Sequence, residues 1–451
     1  MDLEKIYNYI DANSKKFLED LARLVKQPSV SAKNEGIQQC AELVEKMMKE
    51  TGLHTEIIDN GGNPVVYGEI KSEKAKKTLL FYNHYDVQPP EPLEEWIDDP
   101  LSGKIRDGKI YGRGVADNKG NIVSRLKAVE AFLKTVGSVP VNVKFLIEGE
   151  EEIGSPHLEA IIQRYKKLFS ADATIWEFGD IDRNGRPCLY LGLKGVMSVE
   201  LRARGAARDV HSSEAPLIPN PAWRLVWALN TLKDEQDEIL IDGFYDKVKP
   251  PSAEEIECLK EIPFEEKEQK RELELKKFLH DVIGLNALKT LLYQPTCTIN
   301  GFLTGYTGLG SKTVLPNKAM AKLDLRLVFN QTSKEIFSKL VRYMKKRGFE
   351  DIEVVEQGSS DPAKTPINDC FVQTVIKAAE KVYAKKAVVY PTSEASGPMH
   401  LFRNLLDCPV VSVGCSHPDS REHAPNENIK VEDFIKGTKF MAAILHYFGK
   451  G

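Results

Sequence analysis

The hydrophobic pattern changes period several times along the chain, and each change predicts an element. Residues 4–27 and 35–51 carry apolar positions at helical spacing. Short strands are expected at 53–58 and 64–69, and Thr78–Asn83 (TLLFYN) is a continuous apolar run of the buried-strand type. Val141–Ile147 (VNVKFLI), Ala173–Trp176 and Pro409–Val413 have the same character, and helices are predicted near 119–136 and 431–447. Between these lies a stretch of different texture. Val196–Arg204 (VMSVELRAR) alternates, as a half-exposed antiparallel strand does, and further strands are predicted at 295–303, 319–328 and 352–357. Helices are expected at 220–233 and 333–347, the charged segment 252–283 reads as surface helices forming an insertion, and 358–366 (GSSDPAKTP) reads as a linker. The fold class expected is α/β with two domains. A mixed, mostly parallel sheet flanked by helices is interrupted by an α+β unit, with boundaries at 1–195, 196–361 and 362–451.

The polar residues that end the buried strands change this picture most. In open α/β sheets, ligands gather at the carboxyl ends of strands. The first run ends in His84-Tyr85-Asp86, the second in Glu148-Gly149-Glu150-Glu151-Glu152, and the third in Glu177. Residues i and i+2 of an extended chain point the same way, so His84 and Asp86 can converge on one point. Stacked carboxylates repel unless a cation is present, so a divalent metal is the economical reading. Asp117, in GRGVADNKG (112–120), is either a helix cap or a functional carboxylate. The glycines there fit neither GxGxxG nor the Walker pattern, which excludes a nucleotide reading.

Composition narrows the class further. With 451 residues, 28% charged and 42% hydrophobic, and a net charge of −4, the chain has the makeup of an ordinary globular protein with no nucleic-acid signature. The start, MDLEKIYNYIDANSKKF, has no apolar h-region, and no run approaches a membrane span, so a cytoplasmic location is expected. Seven scattered cysteines without CxxC spacing read as reduced thiols.

Several motifs in order, HYD (84–86), GRGVADNKG (112–120), EGEEEIGS (148–155), RPCLYLGLKG (186–195), DVHS (209–212), SKTVLP (311–316), LRLV (325–328) and HAPNE (423–427), give the chain a resemblance over nearly its whole length. It resembles the co-catalytic zinc exopeptidases that include carnosinase, cytosolic dipeptidases, glutamate carboxypeptidase and aminoacylase, and most of all the carnosinase-type branch. The resemblance implies a catalytic domain holding two divalent metal ions per subunit (zinc, with manganese or cobalt as alternatives), interrupted by a lid domain that makes a homodimer. It implies that His84 and Glu177 hold one ion, Glu152 and His423 the other, and Asp117 both, with a cis peptide after Asp117. Asp86 would orient His84, and Glu151 would be the general base. His417, six residues before His423, is the rival ligand. His211 would reach the partner's site to hold an oxyanion, Thr313 and Arg326 would hold substrate, and Ser396 and Gly397 would lie in a carboxylate-binding loop. The serine–glycine pair departs from the branch's glycine-glycine-serine form, which leaves substrate choice open.

The expected activity is metal-dependent hydrolysis of dipeptides or of the C-terminal residues of short peptides. An N-acyl-amino-acid amidohydrolase is the alternative, and a non-catalytic binding protein on the same scaffold is the third reading.

Overall fold

The computed structural model describes residues 3–450. Eight strands form one sheet, in the order 54–58, 65–70, 142–148, 78–84, 173–176, 410–412, 188–190, 388–390. The four central strands, Asn142–Glu148, Thr78–His84, Ala173–Trp176 and Val410–Ser412, run parallel. Their carboxyl ends therefore lie along one edge of the sheet. The apolar runs are continuous because both faces are covered. Leu79 and Phe81 join a core built with the helices Leu3–Ala12, Gly120–Val136, Cys370–Tyr383 and Val431–Phe448, whereas Leu80 and Tyr82 face a second core with Trp176 and Phe402. Each of these four strand side chains is fully buried. Truncating one to alanine would cost about 2–5 kcal/mol.

A separate antiparallel sheet, ordered 296–304, 318–327, 195–204, 353–360, carries the alternating pattern. Its inward set, including Met197, Val199, Leu201, Leu323 and Leu325, packs on the helices Pro221–Asn230 and Ser333–Lys346. The fold is thus α/β with an inserted α+β unit.

Three details differ from expectation. The first predicted helix is two, Leu3–Ala12 and Ser14–Val25, broken at Asn13, whose side-chain amide donates to the Tyr9 carbonyl. The 358–366 segment is structured and not a linker. The strand Glu353–Ser360 runs into it, and Ala363–Lys364 pairs with Gly192–Leu193. The charged segment forms the helices Ala253–Glu261, started by a Ser252–Glu255 capping box, and Glu266–Glu272, and the helix Gly284–Tyr293 follows it. It is more than a surface feature, because Leu259 and Ile262 join Leu288 and Leu292 of the following helix against Cys188 and Val388 at the end of the large sheet. The charge of the segment hid Leu259 and Ile262.

Candidate active site

The strand ends bring a set of acids and imidazoles together. His84, the last residue of its strand, is 1% exposed and lies with Nε2 2.9 Å from Asp117 Oδ1. His423 approaches the other Asp117 oxygen, Nε2 to Oδ2 at 3.0 Å, and stands 3.3 Å from Glu152 Oε2. Asp117 sits between the two imidazoles. Its side chain makes no helix-cap bond, and its peptide to Asn118 is cis. Donor atoms of His84, Asp117 and Glu152 lie within 4.8 Å of one another, which suits a metal ion. Glu177 belongs to the same electrostatic cluster, interacting with His84, Asp117 and Glu151.

Asp86 is placed behind this cluster and is fully buried. It accepts the Glu151 N–H on Oδ1 (3.2 Å) and the Glu152 N–H on Oδ2 (3.0 Å). His84 Nδ1 faces the Asp86 carbonyl oxygen at 3.0 Å and its carboxylate at 3.4 Å. Both facing groups are acceptors, so Nδ1 carries a proton, and Nε2, which faces Asp117, is the nitrogen that would meet a metal. Asp86 thus orients the His84 ring and fixes the turn that carries both Glu151 and Glu152.

The charge balance of the cluster points to cations. Burial pushes the Glu151 carboxyl up to about 8, with repulsion from Asp117, Glu152 and Asp86 added and His84 opposing. Burial also drives Glu177 well above the usual carboxylate range, with partial relief from His84. Asp117 goes the other way. Its burial is outweighed by His84 and His423, which hold it well below its ordinary value. Hydrogen bonds to Asp117 and Glu152 raise His423 to about 10. Glu152 Oε1 is buried without any hydrogen-bond partner. A carboxylate oxygen left bare among acids, beside two imidazoles, fits a divalent cation and fits little else.

His417 is excluded by its own bonds. Its Nδ1 accepts the Asp419 N–H and its Nε2 faces Asn428 Oδ1, both at 3.1 Å. Neither nitrogen is free, and the imidazole is buried and pushed down to about 4, mainly by desolvation.

The remaining predicted residues form two further groups. His211 and Thr313 face each other across the short ribbon of Val210–His211 and Val314–Leu315, with Nε2 to Oγ1 at 3.3 Å. Both are exposed. Arg326 Nη1 donates to Ser396 Oγ at 2.9 Å, and its Nε to Asp324 Oδ1 at 3.1 Å, so the second sheet and the 393–398 loop meet there. Gly397 contributes its carbonyl to Ser360 Oγ at 2.8 Å, and a Cβ added there would rest in ordinary contact with Leu193 and Trp176.

Two anchoring residues escaped sequence reasoning. Glu427, 1% exposed, takes the Arg113 guanidinium at 2.7 Å and the N–H groups of Gly114, Ala116 and Asp117 at 2.8, 2.8 and 3.1 Å. It holds the loop that delivers Asp117, and its position inside HAPNE was the available signal. Arg125 is buried in its helix and donates to the carbonyls of Tyr82, Trp176 and Val413 at 2.6, 2.6 and 3.1 Å. It ties three parallel strand ends together. A charged residue inside an otherwise buried helix was its only trace in the sequence.

A half-buried acid–imidazole cluster at the carboxyl ends of a parallel sheet, fitted for divalent cations, is the arrangement of a metal-dependent hydrolase. The chain belongs to peptidase family M20/M25/M40, whose model matches residues 80–447, and it is a metallopeptidase. It is similar to an M20 family metallo-carboxypeptidase from Sulfolobus solfataricus, with 40% identity and a TM-score of 0.91 over 96% of this chain and 99% of that one. It is also similar to the human Beta-Ala-His dipeptidase, 29% identical over 98% of this chain and 92% of the relative. A Cys-Gly metallodipeptidase from Candida albicans is 28% identical over 100% and 98% of the two chains.

Proposed function

We propose that this chain is an exopeptidase that hydrolyses dipeptides or removes the C-terminal residue of short peptides, with Glu151 as general base. The observation that carries the reading is the unpartnered, buried Glu152 oxygen within the His84, Asp117 and Glu152 cluster. His84 and Glu177 would hold one divalent ion, Glu152 and His423 a second, and Asp117 both. Zinc suits imidazole and carboxylate donors, with manganese or cobalt as alternatives. Such ions, when bound, supply positive charge that polarises a carbonyl and acidifies water.

The protein's own groups do the rest. Asp86 holds the Glu151–Glu152 turn and the His84 ring in register. Glu151 takes a proton from the attacking water and returns it to the leaving amine. Arg326, backed by Asp324 and Ser396, grips the free carboxylate of the peptide, which restricts cleavage to chain ends. The names of the relatives, two dipeptidases and a carboxypeptidase, support substrates of this size.

We also read residues 196–361 as a lid between catalytic segments 1–195 and 362–451, and as a dimerisation surface. Trp223 and Trp227 stack 6.1 Å apart on the lid helix, both more than half exposed, and Ile299, Phe302 and Leu303 are exposed on its edge strand. These apolar residues support a two-fold contact. His211, with its Nε2 toward Thr313, would then reach the partner's site to stabilise the oxyanion. A cytoplasmic location agrees with seven unpaired cysteines, and among the described residues no helix is long and apolar enough to cross a membrane.

Metal-stripped and reconstituted enzyme assayed on dipeptides and on N-acetyl amino acids tests the activity. Metal-restored cleavage of dipeptides is expected, and a preference for N-acetyl amino acids would turn the reading to an amidohydrolase. Mixing His211→Ala with Glu151→Gln subunits tests the partner contact. Activity recovers in the mixture if His211 works across the interface. No recovery despite proven subunit exchange overturns it.

A further inference from the structure

A cavity of about 880 Å³ opens beside Arg326, walled by the lid sheet on one side and the charged insertion on the other. Its polar end is formed by Arg326, Lys194 and Glu394. Lys194 is 4% exposed, with its Nζ fixed by the Leu291 and Gln294 carbonyls at 2.6 Å each. Away from this end apolar and aromatic side chains make up most of the wall, with Tyr245, Phe264 and Phe278 facing Ala287 and Leu291, and Lys233, Asp237, Glu238 and His280 stand among them. Ala287, Thr290, Leu291 and Gln294 follow helical spacing, so one face of the helix Gly284–Tyr293 and its last turn lines the space. Tyr245, Leu279 and Leu291 remain well exposed around it.

We propose that this cavity receives the apolar side chain of a substrate's C-terminal residue, and that it selects aromatic residues there. The inference rests on Arg326 holding the terminal carboxylate. Side chain and carboxylate leave the same carbon, so a carboxylate gripped by Arg326 delivers its side chain to the neighbouring opening. At the polar end Lys194 is held by two carbonyls and stands opposite Glu394, which leaves the Arg326 guanidinium to meet a carboxylate, and three aromatic rings match an apolar ring beyond it. The volume exceeds what a small side chain fills, so alanine or glycine would leave most of the apolar wall in water.

Binding of N-acetyl-L-phenylalanine and N-acetyl-L-alanine to the metal-loaded enzyme, measured by calorimetry, tests this, alongside kcat/KM for Gly-Phe and Gly-Ala. The phenylalanine compounds are expected to be favoured by at least ~10-fold, mostly through Kd and KM. Thr290→Trp fills the cavity and should remove that advantage. Phe278→Ala, which opens the opposite wall, should lower it by about 5-fold and serves if the tryptophan variant does not fold. Equal binding of the two ligands, or an advantage that survives both substitutions, overturns the pocket. Tight N-acetyl-phenylalanine binding lost in Thr290→Trp, without cleavage of either dipeptide, would sink the exopeptidase reading and leave the pocket standing.

Discussion

His84 and His211 are both imidazoles at strand ends, one in the large sheet and one in the inserted unit, and they are prepared for opposite work. His84 is buried, two acceptors on Asp86 hold a proton on Nδ1, and Nε2 is turned to Asp117. His211 is exposed, and its Nδ1 accepts the Ser213 N–H at 3.1 Å, which leaves the proton on Nε2 beside Thr313. In the proposed function one ring binds a cation and the other donates a hydrogen bond to an anion. The buried ring is fixed by groups with no alternative partners, whereas the exposed one is held by a two-residue ribbon that water can compete for. The proposed function therefore places the metal-side chemistry in the large sheet and the oxyanion contact on the inserted unit.

Lesions in the two regions should separate in kinetics. Glu151→Gln is expected to have the largest effect, lowering kcat by at least ~10²-fold, because the amide is nearly isosteric but cannot accept the proton. Metal content measured on the same sample should be unchanged. An active Glu151→Gln enzyme would shift the base to a neighbouring glutamate. His84→Ala and His423→Ala come next, each losing occupancy of one metal site by elemental analysis. A fully metallated His423→Ala protein would sink that ligand assignment.

Asp86→Asn should cost about 10–100-fold in activity or metal affinity, because the Glu151–Glu152 turn loses one of the two oxygens that accept its N–H groups and the His84 ring loses the carboxylate charge, keeping only the Asp86 carbonyl. On the lid side, Arg326→Lys should raise KM by about 10-fold and leave kcat within a factor of a few, since a point charge replaces a fork that grips a carboxylate in two places. A drop in kcat with KM unchanged would place Arg326 with the catalytic group and break the contrast.

The same contrast explains what was legible in the sequence. Buried strands announce themselves as apolar runs, and a carboxylate or imidazole at the end of such a run is conspicuous, which is why His84, Asp86, Glu151, Glu152 and Glu177 could be singled out early. Asp117 remained ambiguous because a carboxylate at a helix start caps as often as it binds. The deciding bonds come from His84, 33 residues away in sequence, and His423, 306 away. Glu427 and Arg125 act almost wholly through backbone groups, and no local pattern encodes where another segment's carbonyls or N–H groups will lie. The 358–366 segment misled for the opposite reason. Its glycine, serines and prolines read as punctuation, yet the partner strand at Gly192–Leu193 gives its backbone a place to pair.

The smallest effect expected tests the boundary of the metal site. His417→Gln should leave metal content and kcat essentially unchanged, because both ring nitrogens already bond within the protein, to the Asp419 N–H and to Asn428. Its signature should appear instead in stability against pH. The His417 imidazole is pushed down to about 4 from an ordinary value near 6.5, mainly by burial and then by Lys430 and Lys109. A depressed folded value means that the unfolded chain binds the extra proton first as pH falls through 6.5. The wild type therefore holds the full contribution of the neutral ring above that pH and loses it progressively toward 4. In metal-stripped protein, the stability of wild type relative to His417→Gln should fall by on the order of 1–2 kcal/mol between those limits, measured by urea unfolding. A pH-independent difference would mean that the ring is not held neutral. Loss of a metal ion from the loaded variant would reinstate His417 as a ligand in place of His423.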